Sequence, residues 1–91
     1  MLDAQTFKLN TEFSLERFDN EILLYSPTDT RAIYLSETAF LVYGMCSSGK
    51  SVGDIIACLE EAYPEQKQTI REDVAAAIDQ LLDNGALLVN E

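Results

Sequence analysis

The sequence has no histidine. That removes Ser-His-Asp and Cys-His catalysis, histidine-ligated zinc and any imidazole pH switch. Cysteine is scarce: Cys46 and Cys58 stand apart, with no CxxC. A small secreted scaffold carries more cysteines than this, so both are expected as reduced, buried thiols of a cytoplasmic protein. No apolar run approaches the roughly 20 residues that cross a bilayer. Residues 1–5 (Met-Leu-Asp-Ala-Gln) lack the basic and apolar parts of a signal peptide. No membrane partner is expected. Basic side chains are few, 6 against 16 acidic ones, for a net charge of −10. Such a surface repels phosphate backbones and argues against nucleic acid; it favours solubility and a basic partner.

What is present suits one small domain. The 91 residues are 47% hydrophobic and 24% charged, too apolar for a disordered chain and long enough for one modest core. Residues 1–10 carry little pattern and are expected as a flexible tail, with the folded domain over 11–91. Residues 13–18 and 22–26 are rich in apolar and aromatic side chains and flank Asp19-Asn20-Glu21, a hairpin signal. Pro27-Thr28-Asp29-Thr30 reads as a turn. Arg31–Leu35 alternates as a third strand, with Arg31, Ile33 and Leu35 on one face and Ala32 and Tyr34 on the other.

From residue 36 the period changes to that of helices. Ser36 is placed as an N-cap, and residues 39–46 are apolar almost throughout, which predicts a helix buried on all sides. Ser47-Ser48-Gly49-Lys50 breaks it. Ser51-Val52-Gly53-Asp54 resembles a capping box for a second helix that ends at Tyr63-Pro64. Thr69-Ile70-Arg71-Glu72 is a fuller capping box and predicts the start of a third helix. Its apolar stripe is Ile70, Val74, Ala77, Ile78, Leu81 and Leu82, with Asn84-Gly85 as the stop. Residues 86–89 form an apolar tail that must pack back on the core. The order predicts an α+β fold: a three-stranded antiparallel sheet followed by three helices, like a winged helix-turn-helix with the sheet leading.

Residues 44–51, Gly-Met-Cys-Ser-Ser-Gly-Lys-Ser, match the phosphate-binding pattern G-x-x-x-x-G-K-[ST] in full. A small nucleotide-binding protein using Lys50 and Ser51 is therefore one alternative. Against it, a doubly wound sheet needs more βα units than the remaining chain supplies. No later strand ends in an acidic residue to hold magnesium. The competing reading is a helix-turn-helix corner with a solvated Lys50. Glu60-Glu61 and Glu72-Asp73 are neighbours on helices, so their side chains diverge by about 100° and cannot share one substrate atom. The third helix carries Arg71 against Glu72, Asp73, Asp79 and Asp83, the wrong sign for a DNA groove. No catalytic residue, metal site or cofactor is expected.

If residues 22–26 are the middle strand, Arg31–Leu35 is an open edge with no proline and one charge. Such an edge can accept a strand from another chain. Ala75-Ala76-Ala77 on the third helix would leave a shallow groove beside it. The alternatives are an edge covered by the chain's own tail and a homodimer pairing edge to edge.

The run Leu35-Ser36-Glu37-Thr38-Ala39, with Val42-Tyr43 and Met45, resembles the signature of the PqqD family, "LN-x-TA-x-x-IW-x-L". The likeness continues through Ser51-Val52-Gly53-Asp54-Ile55, Leu59, Tyr63-Pro64, Asp73-Val74, Ile78, Leu81 and Gly85-Ala86-Leu87. Ser47-Ser48-Gly49 stands where the family has Asp-Gly, Ser36 where it has Asn, and Tyr43 where it has Trp. These departures favour a related peptide pathway over pyrroloquinoline quinone itself. The resemblance implies a RiPP recognition element, a non-catalytic domain for ribosomally made, modified peptides. Such a domain binds a precursor's leader as an extra antiparallel strand between the third strand and third helix. It then delivers the peptide to a modifying enzyme, such as a radical SAM enzyme, protease or cyclase. By that likeness the contact residues are Arg31, Ala32, Ile33, Tyr34 and Leu35 on the strand, and Asp73, Ala77, Gln80, Leu81 and Asn84 on the helix.

Overall fold

The order of elements is set by the switch in period near residue 36. A computed structural model describes residues 3–27 and 31–90. Strands β1 (Phe7–Leu9), β2 (Ser14–Phe18), β3 (Glu21–Ser26) and β4 (Arg31–Leu35) precede helices α1 (Glu37–Ser47), α2 (Val52–Ala62) and α3 (Lys67–Asp83), and β5 (Leu87–Val89) closes the chain. The β2-β3-β4 sheet is antiparallel with β3 in the middle, followed by three helices, the α+β arrangement expected. Asp19 and Asn20 alone make the hairpin turn, since Phe18 already pairs with Glu21. Asp19 adopts a φ of 51° there, a conformation a short polar side chain tolerates. The second turn expected at residues 27–30 lies largely outside the described residues.

Alternation divides the sheet into two faces. Ile22, Leu24, Ile33 and Leu35 are buried against the helices, with Val42, Ile55, Val74, Ile78 and Leu81 packed in the same core. The helix over residues 39–46 is less enclosed than its composition predicts. Ala39, Val42, Tyr43 and Cys46 are buried, while Phe40, Leu41 and Met45 are half-buried and Gly44 is exposed. Helix α1 packs against α3, β1 and β4, and the Arg17 guanidinium lies 5.3 Å from the centre of the Phe40 ring.

The helix ends obey local chemistry with one exception. The Ser36 and Ser51 hydroxyls accept from the amides of Ala39 and Asp54, as N-caps do. The capping box expected at Thr69 does not form. A 3₁₀ turn over Pro64–Gln66 runs straight into α3, so winding begins at Lys67 and Thr69 lies inside the first turn. The Thr69 hydroxyl donates to the Gln66 carbonyl instead, at 3.1 Å. Proline at the head of the turn needs no amide partner and has φ preset, which starts the helix early.

The N-terminal segment departs most from expectation. Phe7, read as part of a flexible tail, is 3% exposed. Strand β1 pairs antiparallel with β5, Leu9 opposite Leu87. The Asp3 and Gln5 carbonyls accept from the Gly53 and Val52 amides, at 2.8 and 2.9 Å. These are first-turn donors of α2 that have no partner inside their own helix. A side chain at Gly53 would meet the Asp3 carbonyl at 3.2 Å, so glycine permits the approach. Arg71 holds the Asp3 carboxylate with two hydrogen bonds, 2.9 and 3.2 Å, which keeps its pKa below the usual value. Residues 3–9 are thus a strap across α2, α3 and β5. No helix among the described residues is long and apolar enough to cross a membrane.

Candidate functional site

Strand β4 pairs only with β3 among the described residues, so its other side is an open edge. Which backbone groups face outward follows from one contact. The Gln80 side-chain amide on α3 reaches the Tyr34 carbonyl at 3.5 Å, the outer limit of a hydrogen bond. The Tyr34 carbonyl therefore points away from β3. In an antiparallel strand the N–H and C=O of one residue point the same way, and the direction alternates along the chain. Ala32 and Tyr34 thus turn both groups outward, while Arg31, Ile33 and Leu35 turn theirs toward β3. The edge offers two donors and two acceptors.

A groove of about 340 Å³ adjoins this edge between the start of α1 and α3. Ser36, Thr38 and Ala39 form one wall; Asp73, Ala76, Ala77 and Gln80 form the other. Between Asp73 and Gln80 the α3 wall is made of the small side chains of Ala76 and Ala77, while Ala75, expected with them, is not in the lining. A second cavity of about 150 Å³ continues from the groove between α1, α2 and α3, with Thr38 and Asp73 shared between the two.

Eight of the ten residues expected from sequence fall into three groups. Ala32 and Tyr34 stand exposed on the outer face of the sheet, Tyr34 at 65%. Asp73, Ala77 and Gln80 line the groove. Ile33, Leu35 and Leu81 are buried in the core, Leu81 completely, so their side chains support the site from beneath. Arg31 lies at the far end of β4. Asn84 is half-buried beyond the groove, its side chain donating to the Gln80 carbonyl at 2.8 Å. Ser36, Thr38, Ala39 and Ala76 line the groove but were not among the predicted contacts. Ala76 sits three residues after Asp73 on the same helix face, a spacing that could have found it. Nothing in the pattern separates Ser36 and Thr38 from ordinary helix-start residues.

The phosphate-loop reading is overturned. Gly44 and Ser47 belong to α1, and Ser51 caps α2. The Ser48 amide donates to Gly44 and Met45, Gly49 to Cys46, and Lys50 to Met45. Those last two bonds and a φ of 82° at Gly49 make a Schellman stop. The amides that would cradle a phosphate are already used by the helix end.

The sequence profile of PqqD, coenzyme PQQ synthesis protein D, matches residues 21–87. No curated protein shows significant sequence similarity to the chain. Among solved structures, lasso peptide synthetase B1 complexed with the leader peptide is similar. Its TM-score is 0.78 at 27% identity, over 90% of this chain and 96% of that one. TbiB1 in complex with the TbiA(beta) leader peptide shares the fold, with a TM-score of 0.73 at 16% identity, over 88% and 93% of the two chains.

Proposed function

We propose, because this chain belongs to the PqqD family, that it binds the leader of a ribosomally made precursor peptide as a strand added to β4 and hands that peptide to a modifying enzyme. One observation carries this reading. The outward backbone groups of Ala32 and Tyr34 lie beside a groove, in a fold shared with lasso peptide synthetase B1 complexed with the leader peptide. Two residues with both groups outward give four ladder bonds, at about 1 kcal/mol net each. One or two anchors in the groove add roughly 1.5–3 kcal/mol apiece. Ordering the peptide takes back a large part, so micromolar affinity is expected and good anchors bring it toward nanomolar.

The role is that of a non-catalytic adaptor working in the cytoplasm, in keeping with two free cysteines. Ala32 and Tyr34 supply the generic backbone affinity; Asp73, Ala77 and Gln80, with Ser36, Thr38 and Ala76, supply side-chain selection. The peptide-binding domain takes in the N-terminal strap as well as residues 11–90, since the strap is fastened to α3. An edge-to-edge homodimer would use the same four groups, and the leader complex of the similar synthetase favours a peptide guest instead.

The test starts from the short peptide that co-purifies with the chain from its native cell. Synthesised and labelled, it is titrated by fluorescence anisotropy. Ala32→Pro removes one outward donor without touching the β3 ladder, and proline is tolerated on an edge. Binding is expected to weaken about tenfold, from the lost bond and the ring's bulk against the guest. Equal affinity in Ala32→Pro and the parent refutes strand addition.

A further inference from the structure

The cavity beyond the groove has a lining that selects a particular side chain. Leu59 and Ile70 are buried and Leu41 is half-buried, giving an apolar floor. Tyr63 is 37% exposed beside them. Glu37 and Asp73 also line this cavity and are exposed, so two carboxylates stand at its rim. Arg71, a basic side chain on the same helix as Asp73, is already held by Asp3. An apolar floor, an aromatic ring and an acidic rim together match a long side chain with a cationic head. Its stem packs on the floor while its head meets the carboxylates. Arginine fits best, since a planar guanidinium pairs with carboxylates and stacks on a ring.

We propose that this cavity is a specificity pocket for a basic residue, arginine above lysine, lying just N-terminal to the paired part of the guest peptide. The proposal rests on the strand-addition reading. Its position follows from the groove. Gln80 marks the level of Tyr34. Asp73 lies two turns earlier on α3, about 10 Å along the helix axis. An extended peptide covers that distance in about three residues. A guest antiparallel to β4 runs toward Leu35, Ser36 and Thr38 as it is followed back to its own N-terminus, which is the direction of the cavity. The basic residue therefore stands about three places before the guest residue that faces Tyr34. The net charge of −10 adds attraction at longer range.

The experiment pans a displayed library of random peptides about fifteen residues long, enough to span edge and pocket, on the intact chain. Enriched peptides are then titrated against variants. Arginine or lysine is expected at one fixed position, about three places before the segment that needs Ala32. Replacing it with norleucine, or Asp73 with Asn or Glu37 with Gln, is expected to weaken binding about two- to fivefold each. Asp73→Lys is expected to reverse the preference, so that the same peptide with glutamate in place of its basic residue binds better than the original. Both substituted positions are exposed, and circular dichroism checks that the variants fold. Enriched peptides with no basic residue at that position, or an affinity indifferent to norleucine and to Asp73→Asn, overturn the pocket. Peptides that depend on Ala32 but ignore Asp73 and Glu37 overturn the pocket alone. Peptides equally tight on Ala32→Pro overturn strand addition and the pocket with it.

Discussion

Ala32 and Ile33 are neighbours on β4 with opposite duties, and proline separates them. The Ala32 amide faces the groove, and its loss leaves the β3–β4 ladder intact. The Ile33 amide faces Leu24, and its side chain is 5% exposed. Ile33→Pro is therefore expected to cost about 3 kcal/mol or more, through the broken ladder and the damaged core. Chemical denaturation of both variants checks this. The order fails if Ala32→Pro is the less stable. The two cysteines divide in the same way. Cys46 is buried and its thiol is pushed up to about 11 by that burial, whereas Cys58 is exposed, against the expectation that both are enclosed. Alkylation of the native protein should label Cys58 alone. Because the unfolded thiol ionises near 9.0 and the folded one near 11, the unfolded state loses its proton first. Stability is then untouched by this group below about pH 9 and falls as pH rises from there toward 11. Burial raises Tyr43 too, which acts in the same direction. Cys46→Ala should flatten the alkaline loss of stability measured by urea titration across that range; an unchanged slope would refute the assignment.

Among elements, the α1–α2 corner shows how a motif can be present without its chemistry. Gly49 holds a φ of 82° with open space around it, so alanine there is strained by backbone alone. Gly49→Ala should cost about 1–2 kcal/mol. Lys50→Ala should change nothing, and Mg-ATP should leave the melting temperature of the parent unmoved. A rise with Mg-ATP that Lys50→Ala abolishes would restore the nucleotide reading. The same helices show what could be read beforehand. Strands β2, β3 and β4 and the Ser36 and Ser51 caps were legible because each is a local signal of period or hydrogen-bonding side chain. The exposure of Cys58 was not: its apolar character groups it with Ile55, Ile56 and Leu59, and only the burial of positions 52, 55, 56 and 59 defines a stripe of α2 that Cys58 falls outside. Leu81 lies on the buried stripe of α3 together with Ala77, as the 3/4 spacing of that helix already placed it. The β1–β5 pair was not legible. Each strand has three residues, too short for a period, and their pairing depends on a meeting of the two ends of the chain. The open edge could be inferred only after the middle strand was assumed. Which of its residues face outward required the single contact from Gln80.

At the scale of the molecule, the strap joins what the site needs to what holds the domain together. Asp3 and Gln5 satisfy the head of α2, Phe7 fills the core, and β5 continues directly from the end of α3. Helix α3 is one wall of the groove, so its position relative to β4 depends on both ends of the chain. The Asp3–Arg71 pair is exposed and adds little by itself. Burial of the Phe7 ring contributes far more. Phe7→Ala should cost about 3–5 kcal/mol, a large share of the roughly 5–14 kcal/mol expected of a domain this size. The melting temperature should fall by at least about 12 °C. A fall of only a few degrees would mean that residues 3–9 are an accessory to the fold, as the plain pattern of their sequence suggests. If instead the fall is large and peptide affinity drops with it at temperatures where the variant is still folded, the strap acts on the groove through α3. Equal affinity in the folded variant would confine the strap to stability and leave the groove set by α1 and α3 alone.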